Sequence, residues 1–223
     1  MATSKPYKLI RSKRRTIALA VTADASLIVR APMSTPLSYI EKLVEAKIDW
    51  IRKAIKRVNM RPRPVVHDYT TGESFLYLGK SYKLSIAKNT DKKLLFKGAF
   101  ILNSKEKKHA RELLISWYKQ EAKKKISERV DWCSRRSGVS YKSLKITTAN
   151  KRWGSCSTTG NLNFSWRLIM APLSVIDYVV AHELAHIEYK NHSKDFWNRV
   201  KVMYPNYEKA KGWLRQNEGT LNI

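Results

Sequence analysis

Three of the chain's five histidines, His182, His186 and His192, fall within eleven residues of one another. Residues four apart on a helix lie one turn above each other, so His182 and His186 can present two imidazole nitrogens to one ion. Glu183 sits beside them. It is near enough to act on a water at the ion and too far round the helix to compete easily as a ligand, the arrangement a hydrolytic zinc site needs. His192 comes six positions after His186, and a continuing helix would carry it well over half a turn from the ligand face. The helix must therefore stop. Asn191 suits a left-handed cap and Ser193 the N-cap of a following helix, which together would swing His192 back to the ion. Three protein ligands leave a fourth position for water, the mark of a catalytic site, with one Zn2+ per chain expected.

The motif needs a buried helix to carry it. Ile176, Val179, Val180, Leu184 and Ile187 supply an apolar stripe, with Ser174 and Asp177 reading as a capping-box-like start after Pro172. Strands are predicted at residues 144–148 and 161–168, flanking the segment from Asn150 to Ser157 and a turn at Gly160. A long helix is predicted over residues 105–136, ended by Gly138, with Leu113, Leu114, Trp117, Ile126, Val130 and Cys133 facing inward. Its other face, including Lys119, Lys123, Lys124, Lys125, Arg129, Arg135 and Arg136, could follow a phosphate backbone or simply be solvated. After the motif, Ser193 should cap a helix burying Phe196, Val200 and Met203, followed by a short helical tail over residues 208–215.

Upstream, residues 16–21 and 27–31 read as a hairpin, and residues 36–59 as one amphipathic helix whose basic end runs on to Arg61 and Arg63. Short strands follow at residues 75–78, 82–86 and 94–102, the last bent around Gly98. His67 and His109 read as structural or solvated histidines. The pattern predicts an α+β protein. Residues 1–103 form an N-terminal mixed β-hairpin and helix unit, and residues 104–223 a metal-binding catalytic unit, the two expected to pack closely.

With 223 residues, 43% of them hydrophobic, the chain can build a core without staples. Its charge is the unusual number: 44 Lys and Arg against 18 Asp and Glu give +26. Such an excess favours polyanionic partners, nucleic acid or nucleotides, or else a generically basic surface. Two cysteines, Cys133 and Cys156, imply no disulfide framework. With no targeting signal and no apolar run long enough to span a bilayer, a cytoplasmic protein without membrane contact is expected.

The combination of residues 152–157, residues 178–186, Asn191-His192-Ser193 and Phe196-Trp197 resembles the YgjP-like, SprT-related zinc metallopeptidases. The order of the upstream hairpins and the Trp50 helix resembles that family too, although the first hairpin turn lacks the glycine associated with it there. The resemblance implies a zincin-like core, zinc held by His182, His186 and His192, and Glu183 as general base for amide hydrolysis of a protein or peptide. More distant SprT-type relatives act on proteins attached to DNA, a use that suits the charge. In zincin-like enzymes the strand before the motif helix borders the cleft, so residues 161–168 are the candidate for pairing an extended peptide. Arg152, Trp153, Ser155, Asn161 and Asn163 are the candidate substrate-binding residues, with a tight turn burying Trp153 as the plain structural alternative. Cys156 is a rival zinc ligand to His192. Two other functions fit the same residues: a metal-dependent nucleotide phosphohydrolase, and a nucleic-acid-binding protein with structural zinc.

Overall fold

The computed structural model describes residues 6–22, 24–59, 67–88, 90–217 and 219–223. Arg61 and Arg63 of the expected basic connector lie outside them. The chain forms two units, residues 1–62 and 63–223.

In the first unit, strands β1 (Lys8–Ser12), β2 (Ala18–Val21) and β3 (Leu27–Pro32) make a three-stranded sheet with β3 in the centre. β2 pairs antiparallel to β3, as the hairpin reading required, and β1 adds a parallel pairing that was not anticipated. Leu27, Val29 and Ala31 alternate inward from β3 and meet Ile40, Val44 and Ile51. The single helix expected here is two, α1 (Leu37–Ala46) and α2 (Ile48–Asn59), because Lys47 leaves helical geometry at φ −108° and ψ 12°. The break lets Ile51 turn into the core at 3% exposure while Ile48 remains 40% exposed.

The second unit is organised on α3 (Ala110–Ser137), entered through a 3-10 turn over Ser104–His109 and ended by Gly138 at φ 73°. Its buried residues are Ala110, Leu114, Tyr118, Ala122, Ile126, Val130 and Cys133. A fourfold step overshoots a full turn by about 40°, so this stripe winds around the helix and meets different neighbours at its two ends. Early on, Tyr118 donates from its hydroxyl to the Leu76 carbonyl at 2.7 Å. Later, Arg129 binds Asp177 bidentately at 2.5 and 3.0 Å.

Strands β4 (Ser74–Tyr77), β5 (Lys80–Ala87), β6 (Leu94–Phe96) and β7 (Phe100–Asn103) form one sheet in the order β4-β5-β7-β6. Their Phe75, Leu84, Phe100 and Leu102 share the core of α3 and of α4 (Leu173–Glu188). The expected boundary at residue 103 therefore falls inside the second unit. Strand pattern alone could not show which helix these four side chains would meet. The remaining strands, β8 (Ser143–Thr147), β9 (Gly154–Cys156) and β10 (Asn161–Ser165), make a sheet of order β8-β10-β9. Helices α5 (Lys194–Met203) and α6 (Tyr207–Asn217) complete an α+β fold.

The start of α4 differs from expectation. Its N-cap is Pro172 with no side-chain hydrogen bond, and Asp177 is spent on Arg129 instead of a capping box. The start is held from outside: the Leu78 and Gly79 amides at the β4–β5 turn donate to the carbonyls of Ile169 and Met170 at 2.9 and 3.0 Å. Gly79 has φ +78°, and a Cβ there would lie 2.7 Å from Pro172 Cγ and 2.9 Å from its Cα. Left-handed strain costs about 1–2 kcal/mol and overpacking about 1–3 kcal/mol. Gly79→Ala is accordingly expected to destabilise the protein by about 2–5 kcal/mol, read as a lowered midpoint in urea unfolding; an unchanged midpoint would mean that this turn does not anchor the helix.

Candidate active site

α4 places His182, Glu183 and His186 by helical spacing, and its C-terminal turn does the rest. The helix leaves α geometry at Tyr189, which is extended at φ −122° and ψ 108°. Asn191 is not left-handed; the described non-glycine residues with positive φ are Ala25, Tyr69 and Leu78. The expected Asn191 cap is replaced by a side chain. Lys190 Nζ donates to the carbonyls of His186 and Ile187, both at 3.0 Å, satisfying groups that a helix end leaves open. Ser193 then caps α5 as expected, its hydroxyl accepting from the Phe196 amide at 3.3 Å.

This turn brings His192 Nε2 to 3.1 Å from His182 Nε2. The candidate ligand atoms of His182, His186 and His192 all lie within 4.8 Å of one another. His186 Nδ1 donates to the Tyr189 carbonyl at 3.0 Å, which leaves its Nε2 lone pair free to bind a metal. Phe196, fully buried, contacts all three imidazoles at centroid distances of 4.5–4.9 Å, and Trp197 stacks on His192 at 5.7 Å.

The donor set fits a metal. Burial, with smaller contributions from His186, His192 and Lys211, pulls His182 down to about 3, and burial also lowers His192. Two unprotonated ring nitrogens facing each other at this distance repel unless a proton or a cation lies between them. Tetrahedral zinc with Zn–N bonds of about 2.0–2.1 Å sets ligand nitrogens about 3.3–3.4 Å apart, close to the observed pair. Cys156 is outside the ligand cluster found among the described residues, although it borders the same cleft.

Glu183 is only 5% exposed, and burial, partly offset by Arg152, pushes its carboxyl up to about 8. Its place depends on β9. A Cβ on Gly154 would lie 2.6 Å from both Cγ and Oε1 of Glu183, so the glycine is what lets the strand backbone press against the carboxyl. Glycine inside a strand is the sequence signal for such an approach, and it was not read as one.

The cleft has a volume of about 360 Å³ and is bordered by Arg152, Gly154, Ser155 and Cys156 on one side and by the histidines, Glu183 and Lys190 on the other. Of the expected substrate-binding residues, Arg152 and Ser155 are there. Asn163 lines a smaller neighbouring cavity. Trp153 instead packs on the main core, and Asn161 is held by Ser143 and Thr159. The expectation that residues 161–168 pair with a peptide is corrected by the sheet order: β10 is bonded to β8 on one side and β9 on the other. Among the described residues the unpaired edges of this sheet belong to β8 and β9, and β9 is the one that borders the cleft.

An HExxH helix packed against an edge strand of a small sheet, with a third histidine brought up by the following turn, is the arrangement of a metallohydrolase site. The chain belongs to the YgjP-like family: the family model described as "YgjP-like, metallopeptidase domain" matches residues 15–217. No curated protein matches the chain. Among solved structures it is similar to the metallopeptidase zymogen abylysin of Pyrococcus abyssi, with 21% identity over 39% of this chain and 86% of that one, at a TM-score of 0.35. The zymogen jannalysin of Methanocaldococcus jannaschii gives 18% identity over 41% and 95%, at 0.38.

Proposed function

We propose that this protein is a zinc-dependent peptidase in which His182, His186 and His192 hold the ion and Glu183 is the general base. The observation that carries the reading is the convergence of three imidazoles and one buried carboxyl group in a cleft bordered by an edge strand. The ion, when bound, supplies Lewis acidity, lowering the pKa of water and polarising a carbonyl. Glu183 takes the proton from the attacking water and returns it to the leaving amine. The free edge of β9 aligns an extended peptide by strand addition, with Arg152 and Ser155 facing its scissile region. The test is metal analysis of the purified protein combined with a substrate screen. Stoichiometric zinc and cleavage of casein or of DNA-bound protein fragments are the expected results; phosphate or pyrophosphate release from nucleoside triphosphates without peptide cleavage would favour the phosphohydrolase reading.

The proposal extends to nucleic acid as the setting of the substrate. On α3, Lys125 pairs with Glu128 and Arg129 with Asp177, which removes two cations from the expected face. Arg111, Lys119, Lys123, Lys124, Arg135 and Arg136 stay exposed. If about six phosphates are contacted, affinity for DNA falls about 10³-fold between 50 and 200 mM salt. A flat salt response in filter binding would remove nucleic acid from the reading. A reducing, cytoplasmic location suits the free thiols of Cys133 and Cys156, and no described helix is long and apolar enough to cross a membrane.

A further inference from the structure

A second cavity, of about 150 Å³, adjoins the main cleft at β9. Arg152, Gly154 and Ser155 line both, and Thr147, Ala149, Asn163 and Ser165 complete the smaller one. Less than half the volume of the main cleft, it is sized for a side chain and not for a length of backbone. Its polar groups are unevenly committed. Ser165 Oγ donates to the Ala149 carbonyl at 2.7 Å and Thr147 Oγ1 to the Phe164 carbonyl at 3.4 Å, so these two hydroxyl protons are spent. Asn163 gives one amide proton to Ser155 Oγ at 3.4 Å, which leaves its second amide proton and the Ser155 hydroxyl proton to donate. Arg152 contributes the only charge on the lining, no Asp or Glu borders the cavity, and no described carboxylate lies within ion-pair distance of its guanidinium.

A cation, an amide donor and a hydroxyl donor around a side-chain-sized space select an acceptor with negative charge. We infer that this cavity is a specificity subsite for the carboxylate side chain of an Asp or Glu close to the scissile bond. Strand addition presents alternate side chains of a peptide to one face, so a residue paired along β9 has a direct route into it. The inference rests on the peptidase reading above and names the substrate class for that site.

The test separates local recognition from the general attraction of a +26 protein for acids. Peptides of identical composition, with a single Glu moved one position at a time, are digested by the metal-loaded wild-type protein and the cuts mapped by mass spectrometry. The same peptides are titrated against the Glu183→Gln protein by fluorescence anisotropy. Cuts at one fixed offset from Glu are expected, with binding about 10- to 100-fold tighter at that register. The preference should vanish in Arg152→Gln and again in Asn163→Asp, where the new carboxylate neutralises Arg152, and persist in the charge control Lys42→Gln. The Asn163 variant keeps the test decisive if Arg152→Gln loses turnover through its proximity to Glu183. Cleavage or binding that ignores the position of Glu overturns the subsite alone. Absence of any peptide cleavage, with nucleotides hydrolysed instead, overturns the peptidase reading and the subsite with it.

Discussion

Glu183→Gln is expected to lower kcat for peptide hydrolysis by about 10³- to 10⁴-fold, equivalent to about 4–5.5 kcal/mol of barrier, while metal content stays at the wild-type level. The amide has the same shape as the carboxyl, and Glu183 makes no hydrogen bond to a described residue that the change would break. What is lost is the capacity to accept a proton from water. Inductively coupled plasma analysis together with a fluorogenic peptide assay checks both halves. Activity above a tenth of wild type would exclude Glu183 as the base, and loss of the metal would make it a ligand instead. An unchanged level of every activity would point to a structural zinc.

Gly154→Ala should produce nearly as large an effect by a different route. The new methyl carbon would stand 2.6 Å from Glu183 Oε1, against ordinary contacts of 3.4–4 Å, so the carboxyl or the strand must move by about 1 Å. A misplacement of that size at a reacting group costs about 10²-fold, and the overpacking itself about 1–3 kcal/mol of stability. A fall in kcat with metal affinity within about twofold of wild type is the expected pattern, since the three atoms nearest the new Cβ all belong to Glu183. Wild-type kcat in a correctly folded Gly154→Ala protein would show that β9 does not position the base. Gly154→Ser should fare no better, because its Cβ meets the same atoms.

These two residues differ in how visible they were. Glu183 lies in a local pattern: the four-residue spacing of the histidines already implies a helix and a shared face, and Ser193 and Gly138 cap helices by short-range hydrogen bonds that their own side chain or backbone freedom supplies. Gly154 acts at long range. Its importance appears only once β9 and α4 are brought together, residues far apart in the chain.

The same division runs through the whole molecule. Read alone, the amino-acid order determined the α+β class, the helix carrying the site, the three histidines and the acid beside them, because helical periodicity and capping are encoded within a few residues. Tertiary structure decided that β9 and not β10 is the edge strand at the cleft, since strand order depends on which of β8, β9 and β10 pair, and alternation looks the same in a central and an edge strand. It also moved the unit boundary from residue 103 to residue 62, by burying Phe75, Leu84, Phe100 and Leu102 in the core of α3 and α4. The turn that delivers His192 was legible as a necessity but not in its chemistry: a lysine side chain reaching back to two carbonyls did the work assigned to a left-handed asparagine, because a long flexible cation can satisfy a helix end without backbone strain.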